Sequence, residues 1–168
     1  MNWQTRFVLA LLLALLCLGC GRSERSEEAP ETAIVKKPDW LTDFEKAQAQ
    51  ARAQNRALLI NFTGSDWCPP CLMLEREVFK QAEFTEYAAK NLVLLMVDFP
   101  RIKMQSLEER AANRKLAERY EIDGFPTIVL LDPSGKKIGE LGYMPGGPKP
   151  FISGIEKLRG ADATSTPE

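Results

Sequence analysis

"GSDWCPPCLML", residues 64–74, is the stretch on which the fold turns. Cys68 and Cys71 enclose Pro69 and Pro70 at the point where an apolar run gives way to a helical pattern. Such a pair can serve as a metal clip, a structural staple or a redox couple. A structural zinc site takes four sulfur or nitrogen ligands. The chain has four cysteines and no histidine, and Cys17 lies in an apolar leader with Cys20 just after it. No metal or other cofactor is therefore expected, unless two chains share an ion or carboxylates complete the set. A staple over a two-residue gap closes little chain and stabilises weakly. The redox reading uses the neighbours. A strand before the pair and a helix after it would put the first sulfur at the positive end of the helix dipole, which favours the reactive thiolate. Pro69 suits a first helical turn, where its missing N–H costs nothing.

The flanks supply that setting. "ALLINF", 57–62, reads as a central strand, and a helix is expected from Cys68 or Pro69 to about Lys80. Upstream, Thr42 and Glu45 stand in capping-box spacing, and Trp40, Phe44, Ala47 and Ala51 recur at helical intervals. Downstream, a short helix is expected over "EFTEYAAKN". "LVLLMVDF", 92–99, lacks alternation, as a parallel strand covered on both faces does. Ala112, Leu116, Ala117 and Tyr120 then mark one helical face. "TIVLL" and "KKIGELGY" read as strands joined by "DPSG", a type I turn signal, and Phe151, Ile155 and Leu158 mark a closing helix. The expected fold class is α/β, a central mixed sheet with helices on both faces.

The ends differ in kind from this domain. "FVLALLLALLCL" is a 12-residue apolar run after the single cation Arg6. It is too short to span a membrane but suits a secretory signal over residues 1–19. Gly19-Cys20 at its end is similar to the lipobox of bacterial lipoproteins, in which the cysteine is lipidated, although Cys17 stands where leucine is usual. Cleavage by an ordinary signal peptidase would leave a soluble periplasmic or extracellular protein instead. Export in either form favours disulfides. Residues 20–38 read as a lipidated, polar tether, 39–160 as the folded domain and 161–168 as a disordered tail. The 168 residues are 45% hydrophobic and 27% charged, with a net charge of −1, so nothing points to nucleic acid.

"DWCPPC", followed about fifty residues later by "RYEIDGFPTIVLLDPSGKKIGELGY", resembles the thioredoxin superfamily. "FTGSDWC", "VDFP" and "GYMPGGP" are similar, more narrowly, to exported thioredoxin-like proteins related to the C-terminal domain of DsbD-type interchange proteins. The resemblance implies a thioredoxin fold and a protein disulfide oxidoreductase. It makes Cys68 the exposed attacking thiol, Cys71 the resolving thiol and Trp67 a neighbour packed beside them. It also makes Pro126, before Thr127, a cis-proline facing the disulfide. Phe125 would offer its backbone to an extended substrate segment, and Gly142 would line the substrate groove. The implied partners are protein thiols and disulfides, a membrane electron donor of DsbD type, and the membrane itself through Cys20. A monomer at the periplasmic face of a bacterial membrane is expected.

Two departures stand out. Thioredoxin carries a buried aspartate in the strand before the active site, and Asn61 takes its place here. Asp66 and Glu75 are nearby in sequence, as proton carriers or as solvated surface charges. The segment from Pro100 to Glu118 is longer than in thioredoxin, and either shapes partner choice or lengthens a surface helix. Pro69 and Pro70 remove two N–H donors and add no positive charge, which disfavours the thiolate and points to a reductant. A disulfide isomerase or oxidase, and a non-catalytic module that holds extended polypeptide, are the alternatives.

Overall fold

The computed structural model describes residues 39–164. The leader, Cys20 and the tether lie outside the described residues. Five strands form one mixed sheet: β1 (Trp40–Leu41), β2 (Ala57–Thr63), β3 (Leu92–Asp98), β4 (Thr127–Leu131) and β5 (Lys137–Leu141). Their spatial order is β1-β3-β2-β4-β5. The first three run parallel, with Leu59 opposite Leu94, whereas β4 runs antiparallel to β2 and β5 antiparallel to β4. All seven residues of β2 are buried, because both sheet faces are covered.

Pleating sends alternate residues of each strand to opposite faces. Leu58, Ile60 and Phe62 join Val93, Leu95, Val97 and Val129 in one core, against Ala47 and Ala51 of α1 (Phe44–Gln54). Helix α4 (Leu107–Arg119) lies on the same face through Leu116 and Ala117. Leu59, Leu94, Ile128 and Leu130 point the other way. They meet Leu74 of α2 (Pro69–Leu74), Phe84 of α3 (Ala82–Asn91) and Phe151 and Ile155 of α5 (Pro148–Thr164). Helix α5 lies so close to β5 that a Cβ at Gly139 would strike the Leu158 side chain.

Several sequence expectations are corrected in detail. Asp43, not Thr42, caps α1, its carboxylate accepting from the Lys46 amide at 3.0 Å. Trp40 falls in β1, paired with Leu94, rather than on the helix, and packs on Phe79 at 5.0 Å on the opposite side of the sheet from Phe44. In α4 Ala112 is exposed and Asn113 is buried, because the Asn113 amide donates to the Asp98 carbonyl at 2.8 Å at the end of β3. Helix α5 continues to Thr164, past residue 160, since Ala161 and Ala163 continue a helix at little cost. Between α2 and α3, Glu75–Phe79 forms a π-helical turn, with the Lys80 amide donating to the carbonyl of Glu75 at 3.0 Å.

Candidate functional site

The carboxyl ends of the parallel strands β2 and β3 lie side by side, so the polar residues that follow them meet. After β2 comes "GSDW", and β3 ends at Asp98 followed by Phe99. The Asp98 carboxylate accepts from the Ser65 amide at 2.9 Å and from its hydroxyl at 2.6 Å. The Trp67 indole N–H donates to the Phe99 carbonyl at 2.7 Å. Its ring lies under the Arg101 guanidinium, 3.6 Å from the ring centre, and edge-on to Phe125. A Cβ at Gly64 would come within 2.6 Å of that indole, so glycine is what lets the tryptophan fold back over the loop.

Cys68 is the residue that caps α2, with Pro69 and Pro70 opening the helix. It is bonded to Cys71 as a disulfide, with the two Cα atoms 5.3 Å apart. The expectation of an exposed Cys68 is corrected: Cys68 is 3% and Cys71 4% exposed. Access to Cys68 is through a cavity of about 440 Å³ that it lines with Trp67, Pro69, Pro70 and Phe125. Cys71 is buried on the inner side of α2 and does not line it. Ile122, Asp123 and Gly124 form the remaining wall. Sequence reasoning missed these three, although "EIDGF" sits directly before Pro126.

The Phe125–Pro126 peptide bond is cis. Thr127 begins β4, and its hydroxyl donates to the Gly124 carbonyl at 2.8 Å, tightening the loop. A Cβ at Gly142 would sit 3.9 Å from the Pro126 carbonyl oxygen, so this glycine adjoins the proline loop. Pro126, Thr127 and Gly142 do not themselves line the cavity at Cys68. Among the described residues, no group of three or more histidine, cysteine, aspartate or glutamate side chains is placed to hold a metal ion.

The two carboxylates resolve differently from one another. Glu75 is a surface charge, paired loosely with Lys80 at 3.7 Å. Asp66 is half-buried and not merely solvated. Its two oxygens accept from the amides of Arg101, Ile102 and Lys103 at 2.8–2.9 Å. The Arg101 amide above all, then those of Lys103 and Ile102, hold its carboxyl below the ordinary 3.8. Asp66 thus clamps the segment after β3 to the loop before Cys68. Asn61 lies 4% exposed in β2, with no partner for its side-chain oxygen among the described residues.

In Asp66→Asn one carboxylate oxygen becomes an NH2 group, which cannot accept. Hydrogen exchange at the Arg101, Ile102 and Lys103 amides should quicken several-fold, because at least one charge-assisted bond is lost. The wild-type clamp has a matching pH dependence. A carboxyl whose pKa is depressed by folding stabilises above its unfolded value and stops doing so as pH falls through the lower folded value. Protection of these amides should therefore hold at pH 4–7 and fade only below 3.8. Unchanged exchange in Asp66→Asn would remove the clamp from the account.

Comparison with known proteins adds to this geometry. The family described as thioredoxin-like domain matches residues 44–148. "Disulfide bond reductase DsbH" of Chlamydia pneumoniae is 31% identical over 158 residues, covering 91% of this chain and 95% of the relative. "Thiol:disulfide interchange protein DsbD" of Pseudomonas fluorescens is 31% identical over 103 residues, which is 61% of this chain but only 16% of that protein. The solved structure of the DsbH oxidoreductase superposes with a TM-score of 0.69 at 30% identity, over 73% of this chain and 84% of that one. A thioredoxin from Thermus thermophilus, 21% identical with a TM-score of 0.57, shares the fold. The parallel β2–β3 pair, the strand-to-helix disulfide and these likenesses agree, and the chain belongs to the thioredoxin superfamily, in its thioredoxin-like group related to the DsbH and DsbD proteins.

Proposed function

We propose that the chain is an exported thiol-disulfide oxidoreductase that reduces disulfides in other proteins. The observation that carries this reading is the Cys68–Cys71 pair at the start of α2, with only Cys68 lining an open cavity. In the reduced protein the Cys68 thiolate attacks one sulfur of a substrate disulfide. A mixed disulfide forms and the other substrate sulfur leaves as a thiolate, taking up a proton. Cys71, once deprotonated, attacks the Cys68 sulfur, which restores the Cys68–Cys71 disulfide and releases the second substrate thiol. Two electrons pass to the substrate, and a dithiol donor of DsbD type at the membrane returns them. Phe125 and Pro126, with Gly142 beside them, offer an extended substrate segment its place next to Cys68.

The reducing direction rests on the charges and dipoles around Cys68. The N–H groups of a first helical turn are the usual partners of a thiolate there. Pro69 and Pro70 have none and the Leu72 amide is already committed to the Cys68 carbonyl at 3.1 Å, which leaves the Cys71 amide. The Asp123 carboxylate lines the same cavity and repels an anion. A poorly stabilised thiolate makes the dithiol form less favoured and the couple more reducing. The likeness to a disulfide bond reductase over 95% of that relative's length supports the same direction.

Equilibration with redox buffers tests it. The reduction potential should lie at or below about −230 mV, and a value near −120 mV would make the protein an oxidant. Pro70→His restores one N–H and adds a side chain that can carry positive charge. It should raise the potential by on the order of 50 mV. No change would remove the prolines from the explanation. Export and anchoring belong to the same proposal: the mature protein begins at a lipidated Cys20 on the periplasmic face of a bacterial membrane and acts as a monomer. Metabolic labelling with a fatty acid should mark the wild type and spare Cys20→Ser.

A further inference from the structure

The segment joining β3 to α4 carries features that the disulfide chemistry does not use. Ile102 is 79%, Met104 96% and Leu107 74% exposed, so large apolar side chains stand in water beside the active-site loop. The segment is nonetheless held in place, its backbone tied to Asp66 by three amides. Leu107, Arg110 and Arg114 follow at helical spacing and share one face of α4. Arg110 and Arg114 are like charges four residues apart, an arrangement that weakens a helix. Among the described residues neither is joined in a salt bridge.

These two arginines line a cavity of about 180 Å³ with Phe99, Pro100, Gln105 and Asn113. Gln105 and the buried Asn113 each donate an amide N–H to the Asp98 carbonyl, at 3.1 and 2.8 Å. The Glu109 carboxylate beside them accepts from Gln105. The guanidinium groups are the charged donors in this lining. The cavity adjoins the redox site, since the Phe99 ring in its wall stacks on Phe125 at 5.1 Å and Phe125 lines the cavity at Cys68.

We propose that this face is a docking subsite for the polypeptide substrate, binding a segment near the substrate disulfide in which a carboxylate side chain accompanies an apolar one. Arg110 and Arg114 take the carboxylate, and Ile102, Met104 and Leu107 the apolar neighbour. The assignment rests on the oxidoreductase reading above. It makes substrate choice a property of the connecting segment, physically separate from the sulfur chemistry.

Two synthetic disulfide peptides test it, identical except for Glu-Leu or Lys-Leu beside the cystine, together with a small aromatic disulfide. The full-length reduced protein should reduce the Glu-Leu peptide faster than the Lys-Leu peptide, and added salt should erase the difference. Arg110→Gln/Arg114→Gln should lose about fivefold in rate on the Glu-Leu peptide, as two exposed charge contacts imply. Its rate on the small disulfide should be unchanged. Equal slowing on all three disulfides, or no slowing on the Glu-Leu peptide, overturns the subsite. Selective loss of adherence to phosphatidylglycerol vesicles, with both peptides reduced alike, overturns it in favour of a lipid surface. Inactivity of the wild type on the small disulfide as well would overturn the oxidoreductase reading instead. Polarisation of a labelled Glu-Leu peptide bound to wild type and variant then judges the subsite by itself.

Discussion

With serine in place of Cys68, insulin reduction falls to the uncatalysed background, a loss on the order of 10³-fold or more. The reason is chemical before it is structural. A serine hydroxyl is not ionised at neutral pH and forms no disulfide, so the mixed disulfide with substrate has no sulfur to form on. The loss cannot be put down to unfolding. A disulfide closing a loop of four residues contributes only about 2 kcal/mol by loop entropy, and both sulfurs sit in a domain with two well-filled cores. Circular dichroism should therefore be near wild type. The partner variant Cys71→Ala keeps the attacking sulfur and removes the resolving one, so mixed disulfides should accumulate on Cys68. Retention of turnover in Cys68→Ser, or peptide binding with no disulfide-linked product in Cys71→Ala, would favour a module that merely holds extended polypeptide.

Phe151→Ala is expected to cost about 3–5 kcal/mol, as other buried aromatic truncations do. Phe151 is fully buried and lies edge-on to Phe79 at 5.7 Å and Phe84 at 6.1 Å. This trio joins α5, the π-helical turn and α3 on one face of the sheet. Removing the ring leaves a cavity that three separate elements would have to close together. The melting temperature should fall by roughly 10–20 °C for a domain of this size. Met104→Ala serves as the control. Its side chain is 96% exposed, so stability should stay within about 0.5 kcal/mol of wild type. A shift of under about 1 kcal/mol in Phe151→Ala would mean that α5 contributes little to the domain.

The linear pattern was a good guide wherever burial is set by local repetition. The apolar runs at 57–62 and 92–99 became the two central strands because consecutive apolar residues bury both of their faces, with Asn61 and Asp98 the polar exceptions, and Phe151, Ile155 and Leu158 became a helix face packed on the core. It failed at element ends, where one side chain decides. Helical spacing counted Trp40 with α1, but the helix starts only after Asp43 and the pairing of Trp40 with Leu94 places it in a strand. It failed also where polarity and burial coincide, as at Asn113, which reads as a surface residue until the Asp98 carbonyl is seen to need a donor.

For the site, the residue types by themselves determined the chemistry. Cys68 and Cys71, spaced by two prolines after an apolar run in a chain without histidine, fall short of a four-ligand zinc site on their own and favour a redox pair, because ligand number and loop length are local properties. What the tertiary structure alone decided is the pair's surroundings. The parallel pairing of β2 with β3 brings Asp66 to the amides of residues 101–103 and Trp67 to Phe99. The antiparallel return of β4 brings Phe125 to Trp67 and to the cavity at Cys68. These contacts join residues some 30 to 60 positions apart, and strand pairing specifies such neighbours through burial of whole sheet faces, which no short stretch of chain encodes.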